Sequence, residues 1–205
     1  MDASWRTLPL TRIGASFVSW FLFVLCFGLL FQIVMVVMAL GGSCASGGPF
    51  EIAVECPDNT WLAPVSIWVG LGAVALSFFL AKGFGTPLTT WAWPVLFVGL
   101  GGAFLTSFVL SQDIVGLIIG VLFVGMGLTP LAIQLRASPQ RTVLGQISAG
   151  GLQFVESDRA RPGLMRRSAK KPDGAIIPTA AHWALSIGIT TIAVLGGLLT
   201  AAAWV

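Results

Sequence analysis

Charged residues are scarce in this sequence. Only 9% of its 205 residues are Asp, Glu, Lys or Arg, whereas 56% are hydrophobic and the mean hydropathy is +0.93. A typical soluble domain has about 25% charged residues, so this chain has too little polar surface to remain in solution as a compact globule. The same composition excludes an intrinsically disordered chain. The sequence therefore predicts an integral membrane protein.

Cysteine and histidine are also few, with three cysteines and one histidine. A disulfide-dense secreted scaffold is therefore excluded. Zinc needs four nitrogen or sulfur ligands, or three and a water molecule, and the sequence offers no such set. It also has no nucleophile and base at motif spacing, no phosphate-binding loop and no H-E-x-x-H motif. We expect a protein that is not an enzyme and that uses no metal or cofactor.

Ionisable residues are missing from the middle of the long apolar runs. Because such residues inside a membrane usually mark ion paths, proton relays or substrate sites, a proton-coupled transporter or pump is not expected. The notable polar side chains in the runs are those of Gln32, Thr106, Ser107, Ser186, Thr190 and Thr191. We expect the hydroxyls to bond to their own helices and Gln32 to bridge to a neighbouring helix.

Five continuous apolar runs are each long enough to cross a bilayer. They cover residues 13–40, 62–81, 91–110, 114–135 and 180–204. A hydrocarbon core about 30 Å thick needs about 20 apolar residues of helix, whereas barrel strands would alternate over about 10 residues. The predicted fold is all-α: a polytopic integral membrane protein whose five transmembrane helices form a single membrane domain.

The connections and prolines predict how these helices meet. Residues 111–113 are too few for anything but an antiparallel hairpin of helices 3 and 4, and we expect helices 2, 3 and 4 to be sequential neighbours. Pro94 falls near the predicted start of helix 3, where a missing N–H is tolerated. Pro130 falls in the last turn of helix 4, which we expect it to kink or end.

All the cations fall on one side of this five-helix map. They are Arg6, Arg12, Lys82, Arg136, Arg141, Arg159, Arg161, Arg166, Arg167, Lys170 and Lys171. The connections on the opposite side contain Glu51, Glu55, Asp58 and Asp113 and no cation. By the positive-inside rule, the N-terminus is predicted to be cytoplasmic and the C-terminus extracytoplasmic. The excess of Arg over Lys and the Ala- and Gly-rich usage are typical of small bacterial cell-membrane proteins.

Cys44 and Cys56 both lie in the predicted extracytoplasmic loop, residues 41–61. A pair of cysteines alone on an oxidising side most simply forms a disulfide, so we expect a small disulfide-closed loop. Eleven intervening residues do not provide the C-x-x-C spacing of thiol oxidoreductases, which argues against a redox role. Cys26 lies within helix 1 and is expected to serve packing.

The predicted cytoplasmic loop, residues 136–179, is basic in its second half. Six cations form what we call the basic cluster: Arg159, Arg161, Arg166, Arg167, Lys170 and Lys171. Such clusters beside a membrane span attract anionic lipid headgroups, and docking to an acidic protein partner is the alternative. Nucleic-acid binding is not expected, because no aromatic residues are interleaved and both ends of the loop lead into the membrane.

Small residues four apart mark candidate helix contacts. Gly116 and Gly120 form such a pair in helix 4, and Gly99 and Ala103 form one in helix 3. Between apolar helices in lipid there is little hydrophobic drive, so close backbone approach must hold them together. We expect these pairs to pack the protein's own bundle, with a subunit interface as the alternative.

Two functions from different classes fit these features. The first is a non-catalytic membrane subunit or scaffold, an accessory component of a larger complex that includes other membrane protein subunits. The alternative is the binding or transport of a lipid or another hydrophobic small molecule between the glycine-rich helices.

The predicted topology is tested by cysteine labelling. A single cysteine introduced at position 163 should react with a membrane-impermeant reagent only after the cells are opened, because the loop carrying it is predicted to be cytoplasmic. Labelling of that cysteine from outside intact cells would contradict the whole map.

Overall fold

The computed structural model describes residues 10–41, 44–45, 54–81, 86–112, 114–135, 143–144 and 180–204. The described part is helical and contains no strand. Its helices are α1 (Leu10–Ala39), α2 (Leu62–Leu76), α3 (Leu88–Ser111), α4 (Ile114–Leu135) and α5 (Ala180–Ala203). A 3-10 turn, Asp58–Trp61, precedes α2, and a π-helical turn, Ser77–Ala81, extends it. All five segments are long and apolar enough to cross a membrane, as predicted.

Helix α1 is the centre of the bundle. It packs along α2 and α5 and, more lightly, against α3, while α4 packs chiefly on α3. The buried core gathers around one face of α1: Trp20, Phe23, Val24, Ala73, Leu88, Ala92 and Ala193. Helices α2 and α3 touch only lightly, whereas α4 packs closely on α3, so the predicted sequential neighbours differ in how closely they pack. The central helix, and not sequence order, determines the arrangement.

Glycines line the contact between α3 and α4. A Cβ atom at Gly116 would lie 3.2 Å from the carbonyl oxygen of Phe104, and one at Gly120 would lie 2.8 Å from the side chain of Leu105. A Cβ atom at Gly101 would lie 2.8 Å from the backbone nitrogen of Val124. We call this contact, with Gly127, the glycine seam. The Gly116/Gly120 face is therefore occupied within the chain.

The other predicted small-residue pair faces the centre. A Cβ atom at Gly99 would lie 2.6 Å from the ring of Phe27 on α1, and Ala103 is fully buried. Helices α1 and α5 also approach at a glycine, because a Cβ atom at Gly197 would lie 2.8 Å from the carbonyl oxygen of Phe21. A larger side chain at Gly197 would push the helices apart, whereas at Gly99 it would displace the ring of Phe27.

The expected disulfide between Cys44 and Cys56 is present, with an S–S distance of 2.03 Å, and Cys26 is free and buried. Two backbone hydrogen bonds lie beside it: Ala45 N donates to the Val54 carbonyl at 3.1 Å, and Cys56 N donates to the Ala45 carbonyl at 3.2 Å. In the chain-entropy model, cross-linking a loop of this length stabilises the fold by about 3 kcal/mol. The neck of the loop is thus closed both covalently and by hydrogen bonds.

Two predicted helix details need correction. Helix α3 begins at Leu88, so Pro94 lies in its second turn and interrupts the hydrogen-bond ladder, contrary to the prediction that its missing N–H falls among the unbonded first residues. Helix α4 continues past Pro130 to Leu135, so the proline does not end it, and the alternative outcome, a kink, stays a prediction.

Several predictions fall on residues outside the described ranges. They concern the whole basic cluster, the cations Arg6, Lys82, Arg136 and Arg141, and the interior of the disulfide loop, residues 46–53. The orientation of the termini across a membrane therefore stays a prediction.

The glycine seam is tested by a substitution that adds one methyl group. Gly101→Ala should lower the free energy of unfolding by about 1–3 kcal/mol, because the new methyl meets backbone atoms that cannot rotate away. Gly125→Ala is the matched control, since nothing lies within 4 Å of a Cβ atom there. We expect the control to change stability by no more than about 1 kcal/mol. Thermal unfolding in detergent measures both, and equal losses would contradict the seam.

Candidate functional site

Two hydroxyls on one face of α5 bind the connections that enter and leave the α3–α4 hairpin. Ser186 and Thr190 are four residues apart and therefore lie one above the other. Ser186 Oγ donates to the carbonyl oxygen of Val143 at 2.9 Å, and Thr190 Oγ1 donates to Thr86 Oγ1 at 3.2 Å. Val143 lies in the long connection after α4, and Thr86 lies just before α3. Helix α5 thus holds both ends of the hairpin.

The indole of Trp20 brings α1 into the same network. Its Nε1 donates to the carbonyl oxygen of Thr86 at 2.8 Å. Thr86 therefore joins α1, through its carbonyl, to α5, through its hydroxyl. We call the group of Trp20, Thr86, Val143, Ser186 and Thr190 the polar clasp. It lies just before the start of α3 and about ten residues inside α1 and α5, in the half of the bundle where these helices begin.

Large aliphatic side chains are buried next to the polar clasp. Leu88 is 0% exposed and Leu144 is 2% exposed, and these are the largest fully buried side chains among the described residues. Leu144 directly follows Val143 of the clasp, and Leu88 lies two residues after Thr86. The clasp therefore positions two sizeable buried apolar side chains. His182, one turn before Ser186, is also buried, with 1% exposure.

The hydroxyls in the helices behave in two ways. Thr106 donates to the carbonyl oxygen of Gly102, as expected for a hydroxyl that bonds to its own helix, and Thr129 and Thr200 do the same. Ser186 and Thr190 instead bond across to connections, so the prediction of self-bonding is wrong for them. Their spacing of four residues was the available signal. Nothing in the sequence marks Thr86 or Val143 as their partners.

Two buried polar atoms of α1 have no hydrogen-bond partner, Ser19 Oγ and Gln32 Oε1. The expected bridge from Gln32 through its carbonyl oxygen is therefore not made. At the opposite end of the bundle, Asn59 Nδ2 donates to the carbonyl oxygen of Trp204 at 3.4 Å. This contact joins the 3-10 turn after the disulfide loop to the end of α5.

The chemistry of the polar clasp is that of neutral donors and carbonyl or hydroxyl acceptors. Its hydrogen bonds pair these groups with one another, which is how polar groups are stabilised in an apolar environment. Within the described residues, no three His, Cys, Asp or Glu side chains come together as metal ligands. The arrangement is suited to holding helices and connections in a fixed relation.

Comparison of the chain with protein-family models, with curated proteins and with solved structures finds no match.

The polar clasp is tested with two isosteric substitutions. Thr190→Val removes the hydrogen bond to Thr86 and should lower the free energy of unfolding by about 0.6–1.7 kcal/mol, the range for hydrogen bonds between membrane helices. Thr200→Val is the control, because that hydroxyl bonds only within its own helix, to the Gly196 carbonyl. Thermal unfolding in detergent measures both variants. If the control loses as much stability as Thr190→Val, the clasp contributes nothing beyond local helix bonding.

Proposed function

We propose that this protein is a non-catalytic integral membrane subunit or scaffold, an accessory component of a larger complex in a bacterial cell membrane. In this proposal the five helices span the membrane, with the N-terminus in the cytoplasm and the C-terminus outside. The partners are other membrane protein subunits and the surrounding lipids, including those with anionic headgroups.

The burial pattern of α4 is the observation that carries the proposal. Within residues 114–133, the buried positions are Gly116, Gly120 and Gly127, all of which face α3. Large apolar side chains face away from the rest of the chain: those of Ile114, Ile118, Val121, Leu122, Met126 and Ile133. Helix α4 therefore contacts α3 through its glycines, where the two backbones come close, and its large side chains are exposed on the opposite face. A helix of this kind is well placed to pack against a helix of another subunit.

The outward face of α4 also has a shallow position at its middle. Gly125 has open space where a side chain would lie, and the neighbouring Thr129 hydroxyl is turned inward to the Gly125 carbonyl at 2.9 Å. A partner helix can approach closely at such a place, since small residues allow the backbones to come together. A partner helix could thus come close to α4 at Gly125, as α3 comes close to α4 at Gly120.

A bulky residue at this position separates partner binding from folding. Gly125→Leu should leave the thermal stability of the isolated protein nearly unchanged, because nothing lies within 4 Å of its Cβ position, and should abolish copurification of a stoichiometric protein partner in mild detergent. Gly72→Leu on α2 is the matched control, since it also points into open space. Loss of the partner in both variants would contradict a specific role for α4.

Substitutions in the basic cluster provide a second test, which measures the electrostatic contribution to partner binding. Replacing Arg166, Arg167, Lys170 and Lys171 by Gln should weaken association with an acidic partner, and more so at low salt, where charges are less screened. A protein that purifies as a monomer with one defined lipid, and that is insensitive to these changes, would overturn the subunit proposal and favour the handling of a hydrophobic molecule.

A further inference from the structure

Two prolines lie at the same level of the α3–α4 hairpin. The helices run antiparallel, with Gly101 beside Val124 and Gly127 beside Val98. The same register brings Pro94 and Pro130 to one level, within a single residue. Proline has no N–H to give to the carbonyl four residues earlier, and its ring crowds that carbonyl. Both helices of the pair are thus weakened at the same height.

A side chain from α3 replaces the missing donor in α4. The carbonyl four residues before Pro130 is that of Met126, and it accepts a hydrogen bond from Trp93 Nε1 at 3.3 Å. The indole is held in place by Phe97, whose ring centroid is 4.3 Å away. An indole that bonds to the one carbonyl released by a proline is a specific lock across the two helices.

The hairpin is held firmly on both sides of this level. Towards the end of α3 and the start of α4, the glycine seam fixes the two helices through backbone contacts at Gly101 and Gly120. Towards the other end, Leu88 is fully buried and Thr86 belongs to the polar clasp. Bending between two fixed regions concentrates where the ladder is interrupted, because prolines are among the recognised causes of helix kinks.

We propose that Pro94 and Pro130 form a two-helix hinge, locked by the hydrogen bond from Trp93 to Met126, about which the outer part of the hairpin swings relative to α1 and α5. The moving part is residues 95–129. Its contact with the centre of the bundle includes Gly99 against Phe27. Helix α4 packs chiefly on α3, so it moves with α3 as one body.

The size of the motion follows from helix geometry. Ile118 lies twelve residues from Pro130, or about 18 Å along the helix axis. A kink of about 20° displaces it by about 6 Å. Ile133 lies on the other side of the hinge, in the last turn of α4, and should not move. These two exposed positions therefore report on the hinge and on its fixed base, respectively.

Spin-label distances on the full chain test the hinge. The moving pair carries labels at Ile118→Cys and Leu199→Cys, and the fixed pair carries labels at Ile133→Cys and Ile187→Cys, all at exposed positions. Cys26→Ala removes the one free cysteine. Trp93→Phe keeps an aromatic ring against Phe97 but loses the donor. It should add a second population, shifted by about 6 Å, to the moving pair and leave the fixed pair unchanged.

The double variant decides whether the lock works through the released carbonyl. Pro130→Ala supplies an N–H to Met126 from within α4, so adding Trp93→Phe to it should produce no second population. If Trp93→Phe leaves the moving pair as it was, there is no lock. If its effect persists beside Pro130→Ala, or appears equally in the fixed pair, the indole acts by packing and the hinge is refuted.

Discussion

Close approach of helix backbones is the constraint on which this structure depends. Apolar helices gain little from burying apolar side chains against one another when the surroundings are also apolar, so contact must come from dispersion at short distances. The chain meets this need with glycine at the α3–α4 seam and with Gly197 against Phe21 between α1 and α5. A Cβ atom would crowd backbone atoms at Gly101, Gly127 and Gly197, so these contacts favour the observed register of each helix pair. The large side chains are then left for the outside.

Hydrogen bonds add to close packing by connecting helices to one another and to the segments between them. Trp20, Thr86 and Thr190 connect α1, the start of α3 and α5, and Ser186 attaches the connection after α4. These bonds join segments that are far apart in the sequence. They hold the end of the bundle at which the hairpin is anchored, whereas the opposite end is closed by the disulfide and by the contact between Asn59 and Trp204. The subunit proposed here thus has two fixed ends and a hairpin with an apolar outer face between them.

The sequence predicted some contacts and missed others for identifiable reasons. The four-residue spacing of Gly116 and Gly120 indicates a helix contact, and Gly127, seven residues after Gly120, continues the same helical face without forming such a pair. Gly101 was not recognisable, because its importance comes from Val124 on another helix. The sequence predicts the wrong partners for the hydroxyls of Ser186 and Thr190, because a hydroxyl in a helix bonds to its own backbone unless a neighbouring segment offers a better acceptor.

The sequence by itself determined the number of helices, their approximate ends and the cysteine pair, because these follow from the length of apolar runs and from local residue types. Tertiary structure decided that α1 is the centre, that α2 and α3 hardly touch, and that Pro94 and Pro130 lie at one level. The physical reason is that nearly every face of these helices is apolar, so hydropathy does not distinguish the buried side from the exposed one. Only the fit of glycine against a particular backbone, and of each donor to a particular carbonyl, makes that choice.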